Sequence, residues 1–289
     1  MQNLVARAPA KVNLTLRVLR RREDGFHDLA SLVSFAGAAD LLSLAPEAAF
    51  GLTVTGPTAP EAGPQGENLV LRAVDALLER VEGLRLGRFH LVKRLPVAAG
   101  VGGGSSDAAA ALRLLAQLNG ISFGDPRLLL AAQAVGSDVP VCLLPRARIM
   151  RGVGDVLSPL LDLPPLPAVL VNCRVAVPTA PVFRALGLRA GENLSGPPHP
   201  DAVPADRVAL MDFLAGMPND LEPPAEAVAP EIRCVKELLN ADPRARFVRM
   251  SGSGATVFAL TDTCREAAGL AKAMQAAQPS WWVRPTVLR

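Results

Sequence analysis

The sequence predicts an α/β (α+β) fold in two domains, with strands and helices mixed in each. Three observations lead there: a strictly alternating segment at residues 11–18, a strand that runs through a glycine-rich stretch into a helix at 90–118, and renewed strands and helices beyond Pro164-Pro165-Leu166-Pro167. That proline cluster is the expected boundary, dividing the chain into 1–163 and 164–289. The length of 289 residues suits two ordinary domains, and a half-hydrophobic composition supplies material for their cores.

Taken in order, Val12, Leu14, Leu16 and Val18 alternate with Lys11, Asn13, Thr15 and Arg17, which is the period of a half-buried strand. Lys11 and Asn13 therefore share a face. Arg22-Glu23-Asp24-Gly25 reads as a turn before a second extended stretch containing Phe26 and His27. Leu71, Val74, Leu78 and Val81 recur at helical spacing over 68–81, with Gly83 as a stop. A strand over 90–95 ends at Pro96, and a strong helix former fills 108–118, capped by Ser105 or Ser106 and stopped by Gly120. A further helix starts at Pro126 behind the cap Asp125 and ends at Gly136, where Ser137-Asp138-Val139-Pro140 forms a loop. Past the boundary come a strand at 168–171, a polar stretch at 191–204, helices flanking Asn219, two strands near 247–250 and 255–260, and a closing helix.

Composition excludes several classes of function. Thirty basic against 27 acidic side chains give a formal +3 spread along the chain, without the concentrated basic face of a nucleic-acid binder. Arg20-Arg21-Arg22 is followed directly by Glu23 and Asp24 and reads as a solvated turn. Cys142, Cys173, Cys234 and Cys264 form no CxxC pair, which argues against a zinc site or disulfide framework and for a reducing, cytoplasmic location. No signal peptide is expected at the N-terminus. The most apolar region, 156–177, is broken by Asp162, Pro164, Pro165, Pro167 and Arg174, so no membrane span is expected.

Chemistry concentrates at Gly100-Val101-Gly102-Gly103-Gly104-Ser105-Ser106-Asp107. Glycines let backbone N–H groups approach a phosphate, and a following helix N-terminus adds a favourable dipole. A Walker A loop would need Gly-Lys-Ser/Thr, whereas Gly104 is followed by two serines; a dinucleotide fingerprint would need Gly or Ala where Asp107 stands. This is an anion-binding loop of a third kind. A second glycine cluster, Ser251-Gly252-Ser253-Gly254-Ala255-Thr256, is by itself as well explained as a turn between strands, and Asp138 by itself as a capping or solvated carboxylate.

Together, Pro9-Ala10-Lys11-Val12-Asn13, the run from Pro96 to Ala109 and Gly252-Ser253-Gly254-Ala255-Thr256-Val257-Phe258 resemble the three signatures of the GHMP kinases, in the same order and at similar separations. Asp24-Gly25-Phe26-His27, Gly136-Ser137-Asp138-Val139-Pro140 and Asn219-Asp220-Leu221-Glu222 narrow the resemblance to the branch acting on a cytidine diphosphate-linked methylerythritol in the non-mevalonate isoprenoid pathway. The likeness extends over about residues 6–260 and is weakest at 191–212. Phe26 stands where that branch commonly has Tyr, and Ala98 and Ala99 where glycine is more usual.

The resemblance implies a ribosomal protein S5 domain 2-like N-terminal domain, a ferredoxin-like C-terminal domain, and an ATP-dependent kinase that uses Mg²⁺ and phosphorylates the 2-hydroxyl of a small alcohol. It implies that Asp138 takes the acceptor's proton beside Lys11. Asn68, Lys93, Pro96, Gly100, Gly102, Gly103, Gly104, Ser105 and Ser106 would hold ATP. Asn13, Phe26, His27, Phe183 and Asp138 would hold the acceptor, with the two phenyl rings stacking on cytosine and His27 reading its edge. It assigns no protein ligands to the metal. Two rivals remain open: a GHMP kinase for homoserine, mevalonate or a sugar, and a non-catalytic S5-like nucleotide- or RNA-binding module.

Overall fold

The computed structural model describes residues 2–289. In chain order the elements are β1 (Leu4–Asn13), β2 (Arg17–Arg21), β3 (His27–Ala45), β4 (Gly51–Thr55), α1 (Leu69–Leu78), β5 (Arg88–Val92), α2 (Gly103–Asn119), α3 (Pro126–Val135), α4 (Val139–Leu143), β6 (Arg148–Gly152), β7 (Val156–Leu157) and β8 (Leu166–Asn172). There follow α5 (Thr179–Ala185), α6 (Arg207–Gly216), α7 (Glu222–Val228), α8 (Glu231–Asn240), β9 (Phe247–Met250), β10 (Thr256–Leu260), α9 (Cys264–Ala277) and β11 (Trp282–Leu288). None of the helices among the described residues is long and apolar enough to cross a membrane.

The chain forms two compact units that interleave along the sequence. One takes in the chain up to Ala10, Ala39–Val97 and Gly102–Pro145; the other takes in Lys11–Ala38, Ala98–Val101 and Arg146–Arg289.

In the first unit, β5 pairs parallel with β4 and antiparallel with residues 41–45 of β3. Helices α1 to α4 supply the rest of its core. The Asn68 Oδ1 caps α1 by accepting the Val70 N–H, and this sets the phase of the buried stripe: Val70, Ala73, Val74 and Leu77. The stripe expected from sequence, Leu71 to Val81, is thus out of phase, and Leu78 lies exposed. Asp125 caps α3 as expected. Helix α2 starts earlier than expected, at Gly103: Gly102, with φ of 58°, occupies the cap position in place of a serine, and Gly120, with φ of 64°, ends the helix.

In the second unit all seven residues of β8 are buried, between antiparallel β10 on one side and β11 on the other, with β9 outside β10. The first part of β3 pairs with β2 and β6. Val169, Val171, Val257, Ile232, Leu239 and Leu270 lie in one core with the helices. A capping box between Thr263 and Glu266 starts α9. The alternating segment at 11–18 is two strands rather than one. They are separated where the Leu14 and Thr15 N–H groups both donate to the Leu32 carbonyl. Its polar residues are buried too, because each finds a partner: Asn13 bonds Ser31, Thr15 bonds His199 and Arg17 bonds Asp220.

Candidate functional site: a glycine-led helix and a histidine–phenylalanine stack

In the first unit the local sequence builds a backbone turn able to receive an anion. Helix α2 opens with two glycines, so the N–H groups of Gly103, Gly104 and Ser105 lie in a first turn with few side chains. The Ser106 N–H already donates to the Gly102 carbonyl, and its hydroxyl to the Pro9 carbonyl at 2.6 Å. Ser106 is thereby an anchor for the turn, and Ser105 is its half-exposed hydroxyl.

Behind this turn sits a buried charge cluster. Lys93 Nζ lies 2.5 Å from Asp40 Oδ2 and 2.8 Å from Asp107 Oδ2, with side-chain exposures of 4% for Lys93, 0% for Asp40 and 4% for Asp107. Asp40 Oδ1 also accepts the N–H groups of Arg94 and Leu95. The cluster therefore ties the strand leading to the loop and the helix leaving it. Burial opposes the Lys93 charge, but Asp107 and Asp40 outweigh it and its pKa is raised. Burial pushes Asp107 up to about 8, against the pull of Lys93 and with the help of the Asp40 carboxylate. The Lys93 ammonium is thus engaged within the protein, and the Asn68 amide caps α1. Pro96, which lies between Lys93 and the glycine loop in sequence, is buried. Asp138 immediately precedes α4, half-buried, and gives that helix no capping hydrogen bond.

In the second unit the remaining signatures meet. Gly100, with φ of 71°, packs so closely on the second glycine cluster that a Cβ there would lie 2.4 Å from the Ser251 carbonyl. Ser251 Oγ donates to the Gly100 carbonyl and accepts the Asn13 N–H, while the Thr256 N–H donates to the Ala99 carbonyl. Lys11 is buried in β1, its N–H donating to the Val101 carbonyl. Asn13 Nδ2 donates to Ser31 at 2.7 Å, and its Oδ1 faces Gly252.

The sequence reading left Asn219-Asp220-Leu221-Glu222 without a role, and the structure provides one. Asn219 Nδ2 donates to the carbonyls of Met250 and Gly252, Glu222 accepts the Met250 N–H and the Lys236 ammonium, and Asp220 pairs with Arg17 at 2.7 Å. The motif braces the second glycine cluster; its fixed polar pattern in an otherwise helical stretch was the available signal.

At the end of the β2–β3 hairpin, the His27 ring stacks on Phe183 with centroids 4.5 Å apart and planes at 29°. The His27 Nε2 is buried and bonds no atom among the described residues. Burial, then the charge of Arg21, lowers its pKa, which favours the neutral ring. Phe26 is at the hairpin tip, 62% exposed, so the ring against Phe183 is that of His27.

Comparison with known proteins agrees with both halves of this description. Residues 68–146 match the family profile of the GHMP kinases N terminal domain, and residues 206–280 that of the GHMP kinases C terminal. A protein of Xanthobacter autotrophicus named 4-diphosphocytidyl-2-C-methyl-D-erythritol kinase is 68% identical over 293 aligned positions, covering all of both chains. A crystal structure of 4-(cytidine 5'-diphospho)-2C-methyl-D-erythritol kinase superposes with a TM-score of 0.77 at 37% identity, over 98% of this chain and 99% of that one. The crystal structure of a homoserine kinase from Cytophaga hutchinsonii gives 0.66 at 20% identity, over 99% of this chain and 94% of that one, a likeness of fold.

Proposed function

We propose a function from one premise: the chain belongs to the GHMP kinase family. It transfers the γ-phosphoryl group of ATP to the 2-hydroxyl of 4-diphosphocytidyl-2-C-methyl-D-erythritol, yielding ADP and the 2-phosphate. The acceptor hydroxyl forms the new P–O bond as the bond to ADP breaks, and its proton passes to the Asp138 carboxylate. Lys11 offsets the charge that gathers at the reacting oxygens. In a loose transition state Asp138 serves as much by orienting the hydroxyl as by basicity.

Backbone N–H groups of Gly103, Gly104 and Ser105, with Gly100 and Gly102 shaping the loop, receive the phosphates. Asn68, Lys93 and Pro96 line the nucleotide side, Lys93 through the cluster that sets the loop's two ends. Asn13 contacts the acceptor. Mg²⁺ neutralises phosphate charge in such transfers and is commonly held by the phosphates and few protein oxygens. The half-exposed Ser105 hydroxyl in the first turn of α2 would be available to a metal carried by the nucleotide.

The observation that carries the choice of acceptor is the His27–Phe183 stack with its buried, unpartnered Nε2. Together with exposed Phe26, it offers aromatic faces and a hydrogen-bonding edge for a base; homoserine, mevalonate and sugars have no use for them. The enzyme works in the cytoplasm on small molecules and not on nucleic acid. The division at 163/164 falls between the two family matches, while the compact units interleave and place residues 146–163 with the second.

The test is ADP release from ATP–Mg²⁺ with a panel of acceptors: the diphosphocytidyl compound, 2-C-methylerythritol 4-phosphate, homoserine and mevalonate. Turnover with the first alone is expected. Equal turnover with 2-C-methylerythritol 4-phosphate would refute the cytidyl assignment.

A further inference from the structure

Of the three consecutive arginines at the end of β2, two are paired and one is not. Arg20 and Arg22 both pair with Asp28, at 2.5 and 2.6 Å. Arg21 points to the other face. It pairs directly with His27 across the β2–β3 ladder, which puts the two side chains next to each other on one face. One end of its guanidinium donates to the Leu188 carbonyl at 2.9 Å, in the segment just after the helix that carries Phe183. Its Nε–H is buried and, like the His27 Nε2, bonds no atom among the described residues.

We propose that Arg21 is a specificity-determining residue of the acceptor site, forming with His27 a donor–acceptor pair that matches the amine edge of cytosine and mismatches uracil. This rests on the cytidyl-acceptor reading above. Cytosine presents an amine donor beside a ring-nitrogen acceptor; uracil presents a carbonyl acceptor beside an N–H donor. In its Nδ1–H tautomer a neutral His27 offers Nε2 as an acceptor, and the guanidinium Nε–H is a donor only. The pair therefore satisfies both positions of cytosine and neither of uracil.

Arg21 also helps to keep His27 out of its charged form. An imidazolium would offer only donors and would repel the amine. Burial and the Arg21 charge both disfavour that form. The other charged groups around the ring are Asp28 on its own strand, already bound by Arg20 and Arg22, exposed Arg184 beside Phe183, and Glu23 and Glu192 near the Gly191 turn. Among these, Arg21 is the one that directly faces His27 across the ladder.

The experiment compares kcat/KM for the diphosphocytidyl substrate and its uridyl analogue in the parent, Arg21→Gln and Arg21→Lys. It is paired with an NMR titration of His27, which is one of only three histidines. Arg21→Gln should narrow the parent's cytidyl preference about tenfold, the scale of one desolvated hydrogen bond, with KM for ATP unchanged. His27 should titrate at higher pH than in the parent. Arg21→Lys, the milder change, keeps the charge and so the His27 titration, but loses the Nε–H and part of the preference. Loosened packing alone would lower both substrates in parallel and leave their ratio unmoved. If both variants keep the parent's ratio and His27 titrates unchanged, Arg21 has no such role. A parent that does not distinguish the two bases overturns the acceptor reading, and this inference with it.

Discussion

Replacing Lys93 by Met exchanges an ammonium for an uncharged side chain of similar length within the buried cluster. Asp40 keeps its two bonds from the N–H groups of Arg94 and Leu95. Asp107 is worse placed, because its Oδ2 loses the lysine and its Oδ1 is already buried without a hydrogen bond. Removing one partner of a buried ion pair typically costs about 3–5 kcal/mol. Because Asp107 holds a proton up to about pH 8, the loss should lie near the lower figure at pH 6 and approach the upper one at pH 8.5. Unfolding entropy of about 2.1 cal/mol/K per residue converts this to a Tm lowered by about 5–8 °C, with the protein melting in one transition. Calorimetry at both pH values, with Lys93→Arg as a control that keeps the charge, measures it. A Tm within about 1 °C of the parent at both pH values would refute the view that this cluster is a buried, mutually dependent unit.

Asp107→Asn tests the same cluster through its protons. A folded-state pKa raised to about 8 contributes stability that is full below the ordinary carboxylate range and is lost as pH rises through 8; the variant should show a flatter decline of Tm over that window. Gly103→Ala places a Cβ 3.6 Å from Lys93 Nζ and 3.7 Å from Leu95, ordinary contact distances, so the melting curve should hold. Calorimetric titration with a non-hydrolysable ATP analogue should nonetheless show affinity reduced at least about fivefold, because the methyl crowds the phosphate's approach. Asp138→Ala should lower kcat by about a hundredfold or more while analogue binding persists; near-parental kcat would remove Asp138 from the mechanism.

Much of the architecture was legible because local physics decides it. Asp125 with Pro126 announces the start of α3, Gly120 the end of α2, and period-two alternation a strand, since capping and side-chain direction depend on near neighbours. Local signals misled where two patterns competed. The stripe of α1 could be read in two phases, and the Asn68 cap selects Val70 to Leu77. The closing strand β11 follows the helix on which the sequence reading ended the chain. Its Pro285 stands opposite Val169 of β8, and β11 meets β3 only at Leu288, so at the proline the strand is paired on one side alone, where a missing N–H is tolerated.

The chemistry divides along the same line. The residue types by themselves determined a glycine-rich turn running into a helix, whose first N–H groups few side chains cover. They also determined the order of the family's signatures. What only the tertiary structure decided is how side chains distant in sequence are used. Lys93 is engaged by Asp40 and Asp107, Ser106 by Pro9, and Asn219 braces a turn more than thirty residues away. His27 meets Phe183 and leaves one ring nitrogen buried and unpartnered, with Arg21 alongside. Such partnerships follow from burial, which obliges each polar group to find a mate wherever the fold brings one within reach.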